Sequence, residues 1–136
     1  MNGRSILAVL AGIVGGMVII MIIQSILHEI YPIDIKKLME LYKEDPEGYR
    51  EFLRNQPIGA HLGVILSHGL GAFGGMIIGR LIDKENGMTV IGIAMILLLG
   101  NVVNFLSMPH PVWFPYADLL FTLGIIFAFI FTRKKA

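Results

Sequence analysis

Four long apolar stretches constrain the fold of this chain more than any other feature of its sequence. Each is longer than the roughly 20 residues that a helix needs to cross a bilayer. In lipid, only helices and closed barrels satisfy all their backbone hydrogen bonds. The sequence therefore predicts an all-α integral membrane protein, a four-helix bundle that forms one domain over residues 1–136. The predicted spans are approximately Ser5–Ile30, Pro57–Ile82, Gly87–Ser107 and Val112–Thr132.

The composition supports a membrane protein and narrows its chemistry. Hydrophobic residues make up 55% of the 136 residues and charged residues only 15%, whereas soluble domains carry roughly 25% charged residues. The net charge is +1 and no basic stripe is present, so we expect the lipid bilayer as a partner and no nucleic acid. The chain has no cysteine, which excludes disulfides, thiolate metal sites, iron–sulfur clusters and cysteine nucleophiles.

Residues 31–56 form a long connection whose pattern predicts one or two short amphipathic helices. Asp34 is placed to cap a helix over residues 35–44, in which apolar residues recur at the spacing of one helix face. Asp45 and Pro46 then provide an N-cap and a first-turn proline for a second helix. We expect these helices to lie at the membrane interface or to cover the outer end of the bundle.

Positive charge beside the last span predicts the orientation. The Arg133–Lys135 cluster follows that span directly, and lysine and arginine favour the cytoplasmic side of a membrane. We therefore expect both termini in the cytoplasm and residues 31–56 outside. The apolar run at residues 6–23 is too long for a signal peptide, and no small-residue cleavage site follows it, so we expect the first span to be retained.

Small residues on two spans indicate close helix packing. Gly71, Gly75 and Gly79 recur at intervals of four residues in the second span, as Gly12 and Gly16 do in the first. Such spacing lets helices approach closely in lipid. The face with Gly71, Gly75 and Gly79 is also a candidate contact for a homodimer or a membrane-protein partner. The neighbouring G-x-G-x-x-G pattern follows no strand, so packing is a better interpretation than dinucleotide binding.

Polar side chains concentrate in the half of the spans that adjoins residues 31–56. The other half, at residues 6–21, 69–78, 89–99 and 125–131, contains no charged residue and no histidine. A channel or proton-coupled pump usually needs polar groups on both sides of the midplane, so the pattern predicts a pocket that opens outward. An outer layer holds His28, His61, Asn104 and Asp118 with His110 just above it, and a deeper layer holds Gln24, Ser67, His68 and Asn101.

These residue types suit two kinds of ligand. Imidazoles with one carboxylate suit Zn²⁺ or Cu²⁺, and we expect His28, His61 and Asp118 to converge as metal ligands. The same chemistry suits general acid–base work on a lipid or a small amphiphile. His68 has no carboxylate at its predicted depth, so we expect it to serve packing. The order of residues shows no serine–histidine–acid grouping, which leaves open whether the protein is an enzyme. The candidate ligand-binding residues are Gln24, His68, Asn101, Asn104 and His110.

Three segments carry a resemblance to a known group of proteins. They are His28-Glu29-Ile30-Tyr31-Pro32, the glycine-rich stretch Gly69–Gly79, and Met108-Pro109-His110-Pro111-Val112-Trp113-Phe114. In these segments the chain resembles small bacterial four-span integral membrane proteins without an assigned function. The resemblance implies a location in the bacterial inner membrane and transfers no activity. Two alternatives to a pocket protein remain open, a structural subunit or stabiliser of a larger membrane complex and a small dimeric transporter.

Overall fold

A computed structural model of the chain describes residues 2–132, and these residues form helices and no β-strand. Four of the helices are long and apolar enough to cross a membrane, which confirms the predicted all-α bundle of four spans. The Arg133–Lys135 cluster, on which the predicted orientation depends, lies outside the described residues. The helices are α1 (Gly3–Ile30), α2 (Ile35–Glu44), α3 (Pro46–Arg54), α4 (Ile58–Ile82), α5 (Gly87–Ser107) and α6 (Phe114–Thr132).

The two short helices of the first connection begin where the sequence predicts. The backbone N–H of Lys37 donates to Oδ1 of Asp34 at 3.0 Å, and the N–H of Gly48 donates to Oδ1 of Asp45 at 3.0 Å. Each aspartate thereby satisfies a donor that the first helical turn leaves free. The two helices pack on each other, and neither of them contains a buried residue. The predicted amphipathic pair is confirmed.

Helix α4 lies at the centre of the bundle. It contacts α1, α5 and α6, and α5 also contacts both α1 and α6. Within residues 2–132, α1 and α6 do not contact each other, so they flank the α4–α5 pair on opposite sides. The connectivity makes α1 antiparallel to α4 and parallel to α5. Side chains on α4 can therefore reach every other span.

Glycines bring α1 and α4 into backbone contact. A Cβ atom added to Gly75 would lie 2.6 Å from the carbonyl oxygen of Gly12, and one added to Gly16 would lie 2.8 Å from that of Gly71. Only glycine permits this separation, so the predicted close packing is confirmed. The face with Gly71, Gly75 and Gly79 is buried against α1 and α5. It is covered within the chain and not left free for a second subunit; association with a partner stays a prediction.

A group of four polar residues, the Asp83 cluster, joins three helices at the end of the bundle opposite α2 and α3. The hydroxyls of Ser5 and Thr89 donate to Oδ2 of Asp83 at 2.6 and 2.9 Å, and the amide of Asn86 donates to the Ser5 hydroxyl at 3.2 Å. The hydrogen bond from Ser5 is the main reason why the pKa of Asp83 lies below its ordinary value. The cluster ties the start of α1 to the turn between α4 and α5.

Candidate functional site

A buried histidine–carboxylate pair lies between α4 and α6. Nδ1 of His68 is 2.9 Å from Oδ2 of Asp118, and the side chains are 5% and 0% exposed. On its other side, Nε2 of His68 is 3.3 Å from the amide nitrogen of Asn104 on α5. Because a carboxylate only accepts and an amide N–H donates, one arrangement satisfies both contacts. In it, Nδ1–H of His68 donates to Asp118, and Nε2 accepts from Asn104.

The pairing with Asp118 corrects the expectation that no carboxylate lies at the depth of His68. At about 1.5 Å per residue, His68 lies about 15 Å from the start of α4 and Asp118 only about 6 Å from the start of α6. They meet because α6 begins deeper than α4. Within residues 108–113, His110 stacks on Phe114, the first residue of α6, which has no exposed surface. The two predicted polar layers therefore merge at this point.

Two further hydrogen bonds join spans close to the pair. The Asn101 amide donates to the hydroxyl of Thr122 at 3.2 Å, and the Gln24 amide donates to the hydroxyl of Ser67 at 3.4 Å. Thr122 is fully buried and was missed from the sequence. It lies one helical turn beyond Asp118, so both face the same side of α6. This spacing of four residues is the signal that would have found it.

A cavity of about 480 Å³, the α1–α5 cavity, lies between these two helices. Its floor is formed by Val64 and His68 of α4. One end is apolar, with walls from Ile13, Met17, Ile20, Ile96 and Leu97. The other end carries the five residues assigned to ligand binding from the sequence, Gln24, His68, Asn101, Asn104 and His110. The structure thus places all five around one space.

The length of the α1–α5 cavity matches one leaflet of a bilayer. Gly12 of α1 packs against Ile93 of α5, which closes the cavity at its apolar end. From Ile13 to Gln24 the wall runs for about 16 Å at a rise of about 1.5 Å per residue. This is about half of the roughly 30 Å hydrocarbon thickness of a membrane. The cavity therefore has the reach of one lipid chain.

A group of aromatic rings adjoins the polar end of the cavity through His110. His110 stacks on Phe114 with ring centroids 4.0 Å apart, and His61 packs edge-on against His110 at 6.2 Å. Burial is the main reason why the pKa of His110 lies below its ordinary value. Nε2 of His61 lies 3.4 Å from the carbonyl oxygen of Arg54. His61 thereby connects the bundle to the end of α3.

The three predicted metal ligands take separate places. His28 is exposed on α1, in a shallow depression that it shares with Glu29. His61 lies in the aromatic group, and Asp118 is bound to His68. Within the described part of the chain, no three histidine or acidic side chains are placed to hold a metal ion together. The expected convergence of His28, His61 and Asp118 is therefore not what the helices produce, since Asp118 pairs with the deeper histidine.

Comparisons with protein-family models, with curated proteins and with solved structures find no match to this chain. The resemblance to small bacterial four-span proteins stays a prediction. The function is therefore inferred from the shape and chemistry of the α1–α5 cavity.

Proposed function

We propose that this protein binds a single-chain amphiphile inside the membrane, in the α1–α5 cavity. One observation carries the proposal. Over about the length of one leaflet, the cavity combines an apolar section with a polar end that places two histidines and three amide side chains together. Its volume of about 480 Å³ falls in the range of about 300–1,000 Å³ that is usual for small-molecule sites. An amphiphile has a matching apolar chain and polar headgroup.

The position of the cavity favours a ligand that comes from the bilayer. Much of the surface of α1 and α5 is exposed and apolar, as expected for helices that face lipid. The hydrocarbon chain of such a ligand can then lie parallel to both helices, and its headgroup can lie beside His68 and Asn104. The carboxylate of Asp118 fixes the ring of His68, as outer partners fix the ligating histidines of metal sites.

We propose an amphiphile and not a divalent metal as the ligand, because His28, His61 and Asp118 do not lie together as metal ligands. The location that we propose is the bacterial inner membrane, with both termini in the cytoplasm and the polar end of the cavity on the outer side. The resemblance described above and the Arg133–Lys135 cluster support this location. A purely structural subunit would have no need of the cavity, and a transporter would need polar groups in the apolar half as well.

The proposal is tested by filling the cavity. Gly100 lines it, and a Cβ atom added there would meet nothing within 4 Å. A phenylalanine at this position therefore occupies the space without forcing backbones apart. Gly92 on the same helix is equally open and does not line the cavity, which makes Gly92→Phe the matched control.

The measurement is native mass spectrometry of the protein in lipid nanodiscs that contain dodecanol as the probe. We expect one retained dodecanol in the wild type and in Gly92→Phe, and none in Gly100→Phe. Thermal melts of the three proteins check that the fold is intact. Equal retention of dodecanol by Gly92→Phe and Gly100→Phe would show that dodecanol binds elsewhere on the protein. This result would overturn the proposal.

A further inference from the structure

We infer that the polar end of the α1–α5 cavity selects an uncharged headgroup that donates a hydrogen bond, and that this headgroup is a hydroxyl. The inference rests on the proposed function and specifies its ligand class. It depends on two features of the site: the direction of the hydrogen bonds at His68, and the lack of lysine and arginine among the described residues of the cavity wall.

The first feature is the direction of the hydrogen bonds at His68. Nδ1 is 2.9 Å from a carboxylate oxygen of Asp118, which can only accept, so Nδ1–H is the donor of that bond. Nε2 then carries the acceptor lone pair of the ring, and without a ligand this lone pair accepts from the Asn104 amide. A ligand that meets this lone pair must bring a donor, because two acceptors in contact would leave both without a partner and at a desolvation cost.

The amide of Asn104 explains why the donor should be a hydroxyl. It lies 3.3 Å from Nε2 of His68, at the long end of the range for a hydrogen bond. A ligand hydroxyl can enter this long contact, since it offers one donor and two lone pairs. It would donate to Nε2 and accept from the Asn104 amide. An ether oxygen can make only the second of these bonds.

The second feature is the charge around the cavity. Among the described residues that line it, none is a lysine, an arginine or an acid. A phosphate or carboxylate headgroup would therefore have no cation to offset the cost of its burial. The Asp118 carboxylate behind His68 adds repulsion. It is 0% exposed, so it offers a cationic headgroup no direct contact either.

The test uses four probes that share one chain and differ in their heads: dodecanol, methyl dodecyl ether, dodecanoate and dodecyltrimethylammonium. Each is held at the same mole fraction of the nanodisc lipid at pH 8, and retention by the wild type is measured by native mass spectrometry. We expect dodecanol to exceed the ether by about tenfold, which corresponds to about 1.4 kcal/mol. Dodecanoate and the cation should be retained less than the ether.

Asp118→Asn tests the cause of the preference. An amide at position 118 can either donate or accept, so it no longer fixes which nitrogen of His68 carries the proton. We expect the preference for dodecanol over the ether to fall severalfold and dodecanoate to gain. Asp83→Asn is the matched control, because it removes another buried, hydrogen-bonded carboxylate far from the cavity. Its preference should remain that of the wild type.

The outcomes separate this inference from the proposed function. If the wild type retains no probe, the amphiphile site itself fails. If it retains the ether as well as dodecanol, or retains dodecanoate or the cation best, the inference is overturned and the site remains. This comparison needs no variant, so poor folding of Asp118→Asn would not remove the test.

Discussion

Replacing Gly75 with alanine should force α1 and α4 apart. The added Cβ atom would lie 2.6 Å from the carbonyl oxygen of Gly12, whereas ordinary contact begins at 3.4 Å, so the backbones would have to separate by about 0.8 Å. The obstacle is a helix backbone and not a flexible side chain. Gly16 and Gly71 belong to the same contact and would lose their packing as well.

The size of the effect follows from two opposed contributions. Overpacking of a well-packed interior typically costs about 1–3 kcal/mol. Alanine recovers about 0.5–1 kcal/mol, because glycine is the poorer helix former. We therefore expect Gly75→Ala to lower the free energy of unfolding by about 1 kcal/mol, and by at most about 2.5 kcal/mol. The assay is equilibrium unfolding in mixed detergent micelles, followed by circular dichroism.

Gly124 of α6 provides the control. A Cβ atom added there would meet nothing within 4 Å, so Gly124→Ala should be neutral or slightly stabilising. The double variant Gly12→Ala and Gly75→Ala should cost less than the two single losses together, because the first substitution already separates the helices. If Gly75→Ala is as stable as Gly124→Ala, the contact between α1 and α4 is not as close as described, and the reasoning fails.

Three further predictions concern pH and orientation. The pKa of Asp83 lies below its ordinary value, so its carboxylate should stabilise the fold at neutral pH. This stabilisation should be lost as pH falls below about 4. The melting temperature of Asp83→Asn should therefore fall less between neutral and acid pH than that of the wild type. The pKa of His110 is also lowered, so protonation should favour the unfolded chain below about pH 6.5, and His110→Gln should reduce that dependence in the same melts. Reporter fusions after Ala136 and within Glu44–Gly48 should show a cytoplasmic C terminus and an external loop; an external reporter at Ala136 would contradict the proposed orientation.

The spans and the short helices could be predicted because their signals are local. Twenty consecutive apolar residues identify a span whatever surrounds them. Asp34 and Asp45 cap helices through the backbone only three residues further along. The glycine spacing of α4 also gave the correct packing, because a helix repeats its faces at a fixed interval. In each case the residues that decide the structure lie close together in the sequence.

The pairing of His68 with Asp118 could not be predicted in the same way. It depends on how deep α6 begins, and that depth is set by the fold of residues 108–113 against the rest of the bundle. Depths counted from the ends of the spans therefore assigned Asp118 to the wrong histidines. The Asp83 cluster was missed for a similar reason, since Ser5 and Asp83 are 78 residues apart and only the antiparallel packing of α1 and α4 brings them together.

The central position of α4 has a consequence for how the protein enters the membrane. This helix is the least apolar of the four spans and the most buried, and it carries two histidines. In lipid alone, His61, His68 and its run of glycines would make it a poor anchor. Helix α1 is the most apolar span and the least buried, and it leaves the ribosome first. We therefore expect α1 to insert into the bilayer without help from the other spans. We expect α4 to remain in the bilayer only once α5 and α6 have inserted and shield its polar side chains from lipid.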